Sequence, residues 1–223
     1  MANDRDDPTI YLVNPERRGI LPLDGFHIPR SLRKTVRRRP FDIRCNTAFR
    51  QVITACADPT PERPRTWLND GLIELYVELH HAGHAHSVEC WQDGRLAGGL
   101  YGVSLGGAFF GESMFSYRTD ASKVALVDLI GRLLAGHFLL LDTQFVTDHL
   151  RRFGALEIAR TSYLSRLRRA LRAEARFPSQ AYPFGEGLVT GAASGSEGGS
   201  GNDTAGGGDS ASTGSAQLKT QTS

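Results

Sequence analysis

The sequence contains little cysteine and no long apolar run. Its three cysteines, Cys45, Cys56 and Cys90, are scattered among 223 residues and form neither a disulfide framework nor a zinc-ligand spacing. The longest apolar run, around residues 137–141, is far too short to span a bilayer. Because the first residues are polar and acidic, we expect no signal peptide, no membrane partner and a reducing, cytoplasmic setting.

The glycine-rich loops that bind phosphorylated cofactors are also missing. The sequence contains neither a P-loop nor a dinucleotide-binding fingerprint. The nearest match to an acetyl-CoA loop is RLAGGL at residues 95–100, which ends on leucine instead of glycine or alanine and falls in a predicted hairpin. This departure weakens an acyl-CoA interpretation and leaves a different acyl donor to be identified.

Aromatic residues stop at Phe184, and the composition changes there. Residues 185–223 consist mainly of glycine, serine, threonine and alanine, which cannot bury enough apolar area to offset chain entropy. We therefore predict a disordered tail over 185–223. Before it we predict a small basic N-terminal subdomain over 1–64 and a catalytic domain over 65–184.

The net charge is only +2, but the basic residues are concentrated. Between His27 and Arg50 there is one acid, Asp42, against eight basic residues, Arg30, Arg33, Lys34, Arg37, Arg38, Arg39, Arg44 and Arg50. A second group contains Arg160, Arg166, Arg168, Arg169 and Arg172. Such clusters indicate a polyanionic partner such as RNA, although a solvated helix face is the alternative.

Periodicity predicts an α/β fold (α+β) with a mixed sheet. Apolar residues at helical spacing predict helices within 30–39, 46–57, 69–83, 122–136 and 162–174, with Ser31 and Asn46 as candidate N-caps of the first two. Predicted strands are 87–91 and 96–104, joined by an Asp-Gly hairpin, then 108–112, 137–145 and 155–160. The order from the third helix onward is that of an acetyltransferase-like domain, which by itself does not define function.

Three acidic or amide side chains are candidates for chemistry. Glu112, in the segment GESMFS, is either a surface residue at a strand end or the polar group of an apolar pocket. Asp142 and Gln144 alternate at the end of a buried strand, so we expect them to point to one side. A carboxylate and an amide so placed could accept a proton and orient a nucleophile. The alternative is a helix cap and a loop amide.

Two further groups of residues allow either a functional or a purely structural interpretation. The segment GHAHSVE contains three possible metal ligands, His84, His86 and Glu89. No further ligands at a suitable spacing complete the set, so we predict no metal site there. Aromatic rings that could stack on an unpaired base, or simply pack in the core, are Trp67, Tyr76 and Trp91.

Several motifs together resemble one family, the bacterial leucyl/phenylalanyl-tRNA–protein transferases. The resemblance covers residues 11–169 and rests on motifs in matching order and spacing, namely FHIPRSLRK, NTAFRQVITACA, RTWL, LYVELHHAGHAHSVECW, GGLYGVSLGGAFFGESMFS, ASKVAL and LLDTQFVTDHLRRFGALEIAR. The resemblance implies transfer of leucine or phenylalanine, and methionine less readily, from aminoacyl-tRNA to proteins that begin with arginine or lysine. Such products enter N-end-rule degradation. It implies no metal or organic cofactor.

The resemblance also implies site residues. Asp142, acting through Gln144, would orient and deprotonate the incoming amine, and Glu112 would hold the acceptor or the aminoacyl group. Trp67 would receive the terminal adenosine. The implied apolar substrate pocket contains Leu100, Phe109, Met114, Leu126 and Leu129, with Tyr76 as a further substrate contact. The implied tRNA contacts are Arg30, Arg33, Lys34, Arg37, Arg38 and Arg39, supported by the last basic helix.

The sequence departs from the family pattern at two points. Tyr11 stands where an aromatic pair is usual, which affects the expected binding of the terminal adenosine. Leu100 stands where methionine can occur, a change that preserves side-chain volume. Two other interpretations remain, an acyl-CoA N-acyltransferase on the same fold and a non-catalytic tRNA-binding protein. We expect a monomer.

Overall fold

The architecture comes from a computed structural model, which describes residues 5, 9, 13–59 and 65–180. All of them belong to the first of two units into which the chain divides, Met1–Ala192. The predicted tail over 185–223, the position of Tyr11 and part of the proline-rich loop before Trp67 lie outside the described residues.

Six helices and seven strands form the described part of the chain. The helices are α1 Arg30–Arg38, α2 Phe49–Ala57, α3 Asp70–His81, α4 Ala121–Ala135, α5 Asp148–Arg151 and α6 Arg160–Leu171. The strands are β1 Arg17–Ile20, β2 Asp42–Cys45, β3 Ala85–Gln92, β4 Arg95–Leu105, β5 Ala108–Ser116, β6 Leu140–Gln144 and β7 Leu156–Ala159. Among these residues, no helix has the length and apolar composition needed to cross a membrane.

All seven strands belong to one mixed sheet in the order β2-β3-β4-β5-β6-β1-β7. Every neighbouring pair is antiparallel except β5 and β6, which are parallel because α4 connects them as a crossover. The mixed α/β class is confirmed, and so is the predicted order of the central elements. The boundary at residue 64 remains a prediction, and β1 and β2, which precede it, belong to the same sheet as the later strands.

The hairpin between β3 and β4 shows how local sequence fixes a turn. Asp93 and Gly94 both have positive φ, 52° and 71°, which is the conformation that an Asp-Gly hairpin turn requires. Helix α4 then packs on the sheet, and Gly98 of β4 permits the approach, since a Cβ there would lie 2.6 Å from the Cβ of Ala121. The helix is buried along almost its whole length, and Leu126, Leu129 and Leu133 belong to the main core.

Two predicted helix caps are wrong. Ser31 lies inside α1, which begins at Arg30 after Pro29, and α2 begins at Phe49 after Ala48. The Asn46 side chain instead accepts a hydrogen bond from the Ser87 backbone at 3.0 Å.

A buried carboxylate supplies the missing cap of α2. Glu89 of β3 is fully buried and accepts hydrogen bonds from the backbone N–H groups of Thr47, at 2.9 Å, and Ala48, at 2.8 Å. It also accepts from Ser87 and from the indole of Trp91. Glu89 therefore satisfies the start of α2 from another strand, and Trp91 is one of its structural partners.

A second buried charge lies in α4. Arg132 is 3% exposed and pairs with Asp128, one turn earlier, at 2.5 Å. Its guanidinium also donates to the backbone oxygens of Pro178 and Gln180, at 2.6 Å and 2.8 Å. Nearby, Phe177 is buried in the main core. Arg132 thus fastens the segment that follows α6 to the centre of the molecule.

We expect Arg132→Met to destabilise the protein by roughly 3–5 kcal/mol, because Asp128 would remain buried without its counter-charge. The double variant Asp128→Leu/Arg132→Met should lose less than the single variant. Urea unfolding followed by circular dichroism measures both. Equal stability of Arg132→Met and the wild-type protein would show that the pair contributes nothing.

Candidate functional site

A cavity of about 430 Å³ opens on the sheet at the ends of β5 and β6. Its wall is mostly apolar and includes Leu100, Met114, Leu126, Leu129, Leu141, Phe145 and Leu150. The polar wall residues include Glu112, Thr143 and Gln144, and Trp67 lies on the same wall. A concave apolar cavity of this size with few polar groups is typical of a small-molecule site.

A β-bulge directs Glu112 into this cavity. The register between β4 and β5 shifts, so that Gly111 faces Gly102 and Ser113 faces Tyr101, with Glu112 inserted between them. Bulges re-aim side chains and are frequent beside active sites. Strand β5 also continues to Ser116, whereas the sequence predicts its end at Glu112. The pocket interpretation of Glu112 is therefore the one that the geometry favours over the surface alternative.

Aromatic residues of the preceding segments surround Glu112. The Tyr76 hydroxyl and the Glu112 carboxylate interact electrostatically, and the Tyr76 ring packs edge-on against Tyr101 at 5.3 Å between centroids. Trp67 packs edge-on against Tyr76 at 6.4 Å. Helix α3 and the segment before it thus position an aromatic side of the cavity. Burial raises the pKa of Glu112 to about 7, although the Tyr76 hydroxyl acts in the opposite direction.

Asp142 lies behind the cavity wall and has no exposed surface. Arg18 of β1 donates from Nε to both carboxylate oxygens at 3.0 Å, and its Nη2 lies 2.9 Å from Oδ2. The Tyr163 hydroxyl of α6 and the backbone N–H of Gln144 also donate to Asp142. Burial and the bond to Asp142 raise the pKa of Tyr163. The carboxylate is therefore locked by three elements of the fold.

The predicted alternation of Asp142 and Gln144 does not hold. The register between β1 and β6 shifts at Thr143, because Gly19 faces Gln144 while Ile20 faces Asp142. Gln144 has φ 57°, in the left-handed region. As a result Gln144 lines the cavity and Asp142 turns to Arg18.

Glycine is required opposite this irregular strand end. A Cβ on Gly19 would lie 2.8 Å from the carbonyl carbon of Phe145 and 3.0 Å from Oγ1 of Thr143. Any side chain at residue 19 would therefore push against the backbone that carries Gln144.

The structure brings seven of the ten predicted catalytic and substrate-binding residues to one cavity and separates others from it. The predicted residues that line it are Trp67, Leu100, Glu112, Met114, Leu126, Leu129 and Gln144. Tyr76 is linked through Glu112, and Asp142 through the backbone of Gln144. Phe109 lies in the core, where it stacks on Phe177 at 5.5 Å. The basic residues of α1 lie on a helix that packs on α4.

Sequence reasoning missed Arg18 and Tyr163, and it also missed His149, which lines the cavity from α5. Arg18 belongs to β1, a four-residue strand that the sequence pattern did not reveal. Tyr163 is the one polar aromatic on the buried face of a helix otherwise interpreted as basic surface. A buried aspartate requires a cationic partner. The prediction that Asp142 ends a buried strand therefore implied such a partner, and Arg18 fills that role.

The histidines around GHAHSVE are separated from the cavity. His86 stacks on Phe177 at 4.1 Å, and burial lowers its pKa to about 4. Over the described ranges, no three His, Cys, Asp or Glu side chains come together as a possible metal site.

The chain is similar in sequence to proteins of one known family. Residues 20–168 match the family described as leucyl/phenylalanyl-tRNA protein transferase. A leucyl/phenylalanyl-tRNA–protein transferase of Paramagnetospirillum magneticum is 60% identical over 181 residues, which cover 81% of this chain and 87% of that protein. Relatives of the same name from Phenylobacterium zucineum and Maricaulis maris are each 60% identical over 177 residues, 79% of this chain and 80% and 82% of theirs.

A mixed α/β sheet with an apolar cavity, and matches of this extent, identify the chain as an aminoacyltransferase. It belongs to the leucyl/phenylalanyl-tRNA–protein transferase family. The family inferred from the sequence motifs is confirmed.

Glu112→Gln should stabilise the protein at alkaline pH. A glutamate whose folded-state pKa is raised from 4.5 to about 7 contributes stability that is full below pH 4.5 and lost as the pH rises through 7. The loss is at most roughly 3 kcal/mol. Glutamine mimics the neutral carboxyl. In urea unfolding, the free energy of unfolding of the variant should therefore exceed that of the wild-type protein at pH 8 but not at pH 4.5. Glu78→Gln, at an exposed carboxylate of α3, is the control.

Arg18→Met should destabilise the protein by roughly 3–5 kcal/mol, because it leaves the Asp142 carboxylate buried without a counter-charge. Tyr163→Phe removes one hydrogen bond to a charged group and should lose roughly 1.5–3 kcal/mol. Arg17→Met is the matched control on β1, since Arg17 pairs with Glu157 at the surface, and should change stability by under about 1 kcal/mol. Denaturant midpoints that rank Arg17→Met as the most damaging would contradict the assigned network.

Proposed function

We propose that this protein transfers leucine or phenylalanine, and methionine less readily, from aminoacyl-tRNA to the N-terminal arginine or lysine of acceptor proteins. The modified proteins would then enter N-end-rule degradation. The single observation that carries the proposal is the apolar cavity that holds Glu112 and Gln144 in a member of this family. Because aminoacyl-tRNA is found where translation takes place, the proposal also implies action in the cytoplasm. It further includes a monomer and no cofactor.

The apolar wall accounts for the kind of aminoacyl group. Leu126 and Leu129 of α4, with Met114 of β5, offer surface that favours an unbranched or γ-branched apolar side chain. A polar or charged side chain in the same position would lose its hydration without gaining partners.

Trp67 is suited to receive the terminal adenosine. Its indole lies on the cavity wall and is held edge-on by Tyr76. Stacking on a fixed aromatic ring is the usual way in which proteins bind an unpaired base. The ribose ester would then point from Trp67 toward Glu112 and Gln144.

Positioning accounts for much of the reaction. An aminoacyl ester is already activated, and orienting an amine against its carbonyl can supply roughly 7–11 kcal/mol of the barrier. The α-amine attacks the ester carbonyl, a C–N bond forms, and the C–O bond to the ribose breaks. The amine gives up its proton, and the ribose hydroxyl leaves protonated. The side-chain amide of Gln144 lies where it can orient the amine or the carbonyl.

Glu112 is the carboxylate best placed to handle the amine's proton. Its pKa of about 7 matches a group that exchanges protons near neutral pH, and it lies on the cavity wall. As an anion it would also attract the cationic N-terminus of the acceptor. This assignment gives Glu112 a more direct part than holding the acceptor alone.

Asp142 is better described as a positioning residue. Its two oxygens accept bonds from Arg18, Tyr163 and the backbone of Gln144, and none of its surface is exposed. A proton from the substrate would have to displace one of these donors. Its bond to the Gln144 backbone instead fixes the left-handed conformation that turns Gln144 toward the cavity.

The basic face of α1 would contact the tRNA. Arg30, Lys34, Arg37, Arg38 and Arg39 are exposed, and Arg33 is half-buried. Contacts of arginine and lysine with phosphates position a nucleic acid without reading its sequence. Recognition of leucyl-tRNA and phenylalanyl-tRNA would then come from the cavity more than from the tRNA body.

The test is transfer of labelled leucine from leucyl-tRNA to a peptide that begins with arginine, as a function of pH. We expect wild-type kcat to fall below about pH 7 as Glu112 becomes protonated. Glu112→Gln should lower kcat by roughly 100-fold or more and remove this limb of the profile. Tyr76→Phe should shift the limb to higher pH, because the Tyr76 hydroxyl lowers the pKa of Glu112.

The control acceptor is the same peptide with an N-terminal glutamate, which should not be modified. An unchanged pH profile in Glu112→Gln would remove Glu112 from proton transfer but leave the reaction assigned. Absence of transfer by folded wild-type protein that binds tRNA would overturn the enzymatic proposal and favour a tRNA-binding protein.

A further inference from the structure

We infer that a basic passage, formed by Arg38, Lys123 and Arg152, leads from α1 to the mouth of the cavity and binds the phosphates of the single-stranded 3′ end of tRNA. The inference rests on the proposed function and extends it. It adds two residues to the basic face of α1. Lys123 belongs to α4, and Arg152 directly follows α5.

Contacts between α1 and α4 establish the first part of the passage. The Thr35 hydroxyl donates to Oδ2 of Asp120 at 3.3 Å, and Oδ1 of Asp120 accepts from the Lys123 ammonium at 2.6 Å. Arg38 lies one turn after Thr35, on the same side of α1. The Lys123 charge is therefore held beside the basic helix and is 36% exposed.

The second part joins Lys123 to the cavity. Lys123 lies one turn before Leu126, and Leu126 lines the cavity. His149 lines the same cavity from α5. Its pKa is lowered mainly by burial and, to a smaller extent, by the charges of Lys123 and Arg152. His149 therefore lies near both cations, and the Asp120 carboxylate acts on its pKa in the opposite direction. The exposed side chain of Arg152 completes the basic passage.

A phosphodiester strand fits this passage better than a peptide. The acceptor expected at the cavity begins with a cation, which positive charge at the mouth would repel. Two carboxylates beside the passage, Asp120 and Asp148, each have a basic partner, Lys123 and Arg151. The terminal adenosine enters the cavity, so the phosphates that precede it must cross its rim.

The experiment compares two donors of leucine for the same peptide acceptor. One is leucyl-tRNA, and the other is leucine esterified to the ribose of adenosine, which contains no phosphate. For Lys123→Gln and Arg152→Gln we expect KM for leucyl-tRNA to rise roughly 3- to 10-fold at low salt, with kcat within about twofold of wild type. The slope of log KM against log salt should fall by about 0.7 for each lost contact. The adenosine donor should react as it does with wild-type protein.

Matched variants separate the passage from other causes. Arg95→Gln removes an exposed positive charge in the β3–β4 hairpin and should change neither donor. Asp120→Asn/Lys123→Gln should remain weaker for tRNA than Asp120→Asn alone, which excludes an effect of leaving Asp120 unpaired. An unchanged KM for leucyl-tRNA, or equal losses with both donors, would overturn the inference.

A binding measurement keeps this outcome distinct from failure of the proposed function. Fluorescence anisotropy with uncharged tRNA needs no transfer. Wild-type protein could transfer no leucine while Lys123→Gln and Arg152→Gln still weaken tRNA binding. That result would support the passage and contradict the proposed reaction. If both variants bind tRNA as tightly as wild type, the passage is wrong whatever the activity.

Discussion

The buried ion pair between Arg18 and Asp142 holds together the part of the molecule on which the site is built. It joins β1 to β6, and Tyr163 ties α6 to the same carboxylate. An ionised carboxylate without exposed surface is stable only where opposite charge and hydrogen bonds replace its water. Because these partners come from three elements, β1, β6 and α6 are fixed relative to one another, and the backbone of Gln144 is fixed with them.

The two carboxylates near the cavity have opposite environments and therefore different roles. Asp142 has a guanidinium and two further donors, which suit a carboxylate that positions its neighbours. Glu112 has one tyrosine hydroxyl and an apolar surrounding, and burial raises its pKa to about 7. Environments that separate carboxylates in this way are a recurring means of assigning acid–base and structural functions. The free energy that burial of Glu112 subtracts from stability is consistent with a site selected for reactivity.

Much of the fold could be predicted because its strongest signals are local. The apolar spacing of α3 and α4, the Asp-Gly turn after β3 and the order of the central elements need only neighbouring residues to be interpreted. Strands β1 and β2 could not be predicted in this way. Each has four residues, RRGI and DIRC, with little alternation, and β1 pairs with strands more than 100 residues away. The cap of α2 was missed for the same reason, since Glu89 reaches it from β3.

The sequence by itself determined the family, the basic character of α1 and seven of the residues that line the cavity, since these depend on residue types and spacing. Only the tertiary structure decided the directions of the polar side chains. A bulge inserts Glu112 toward the cavity, and a register shift at Thr143 separates Gln144 from Asp142. Both irregularities depend on which strand pairs alongside, and the partner of Asp142 is an arginine 124 residues away. Pairing over such distances is fixed by packing of the whole sheet, which no local pattern encodes.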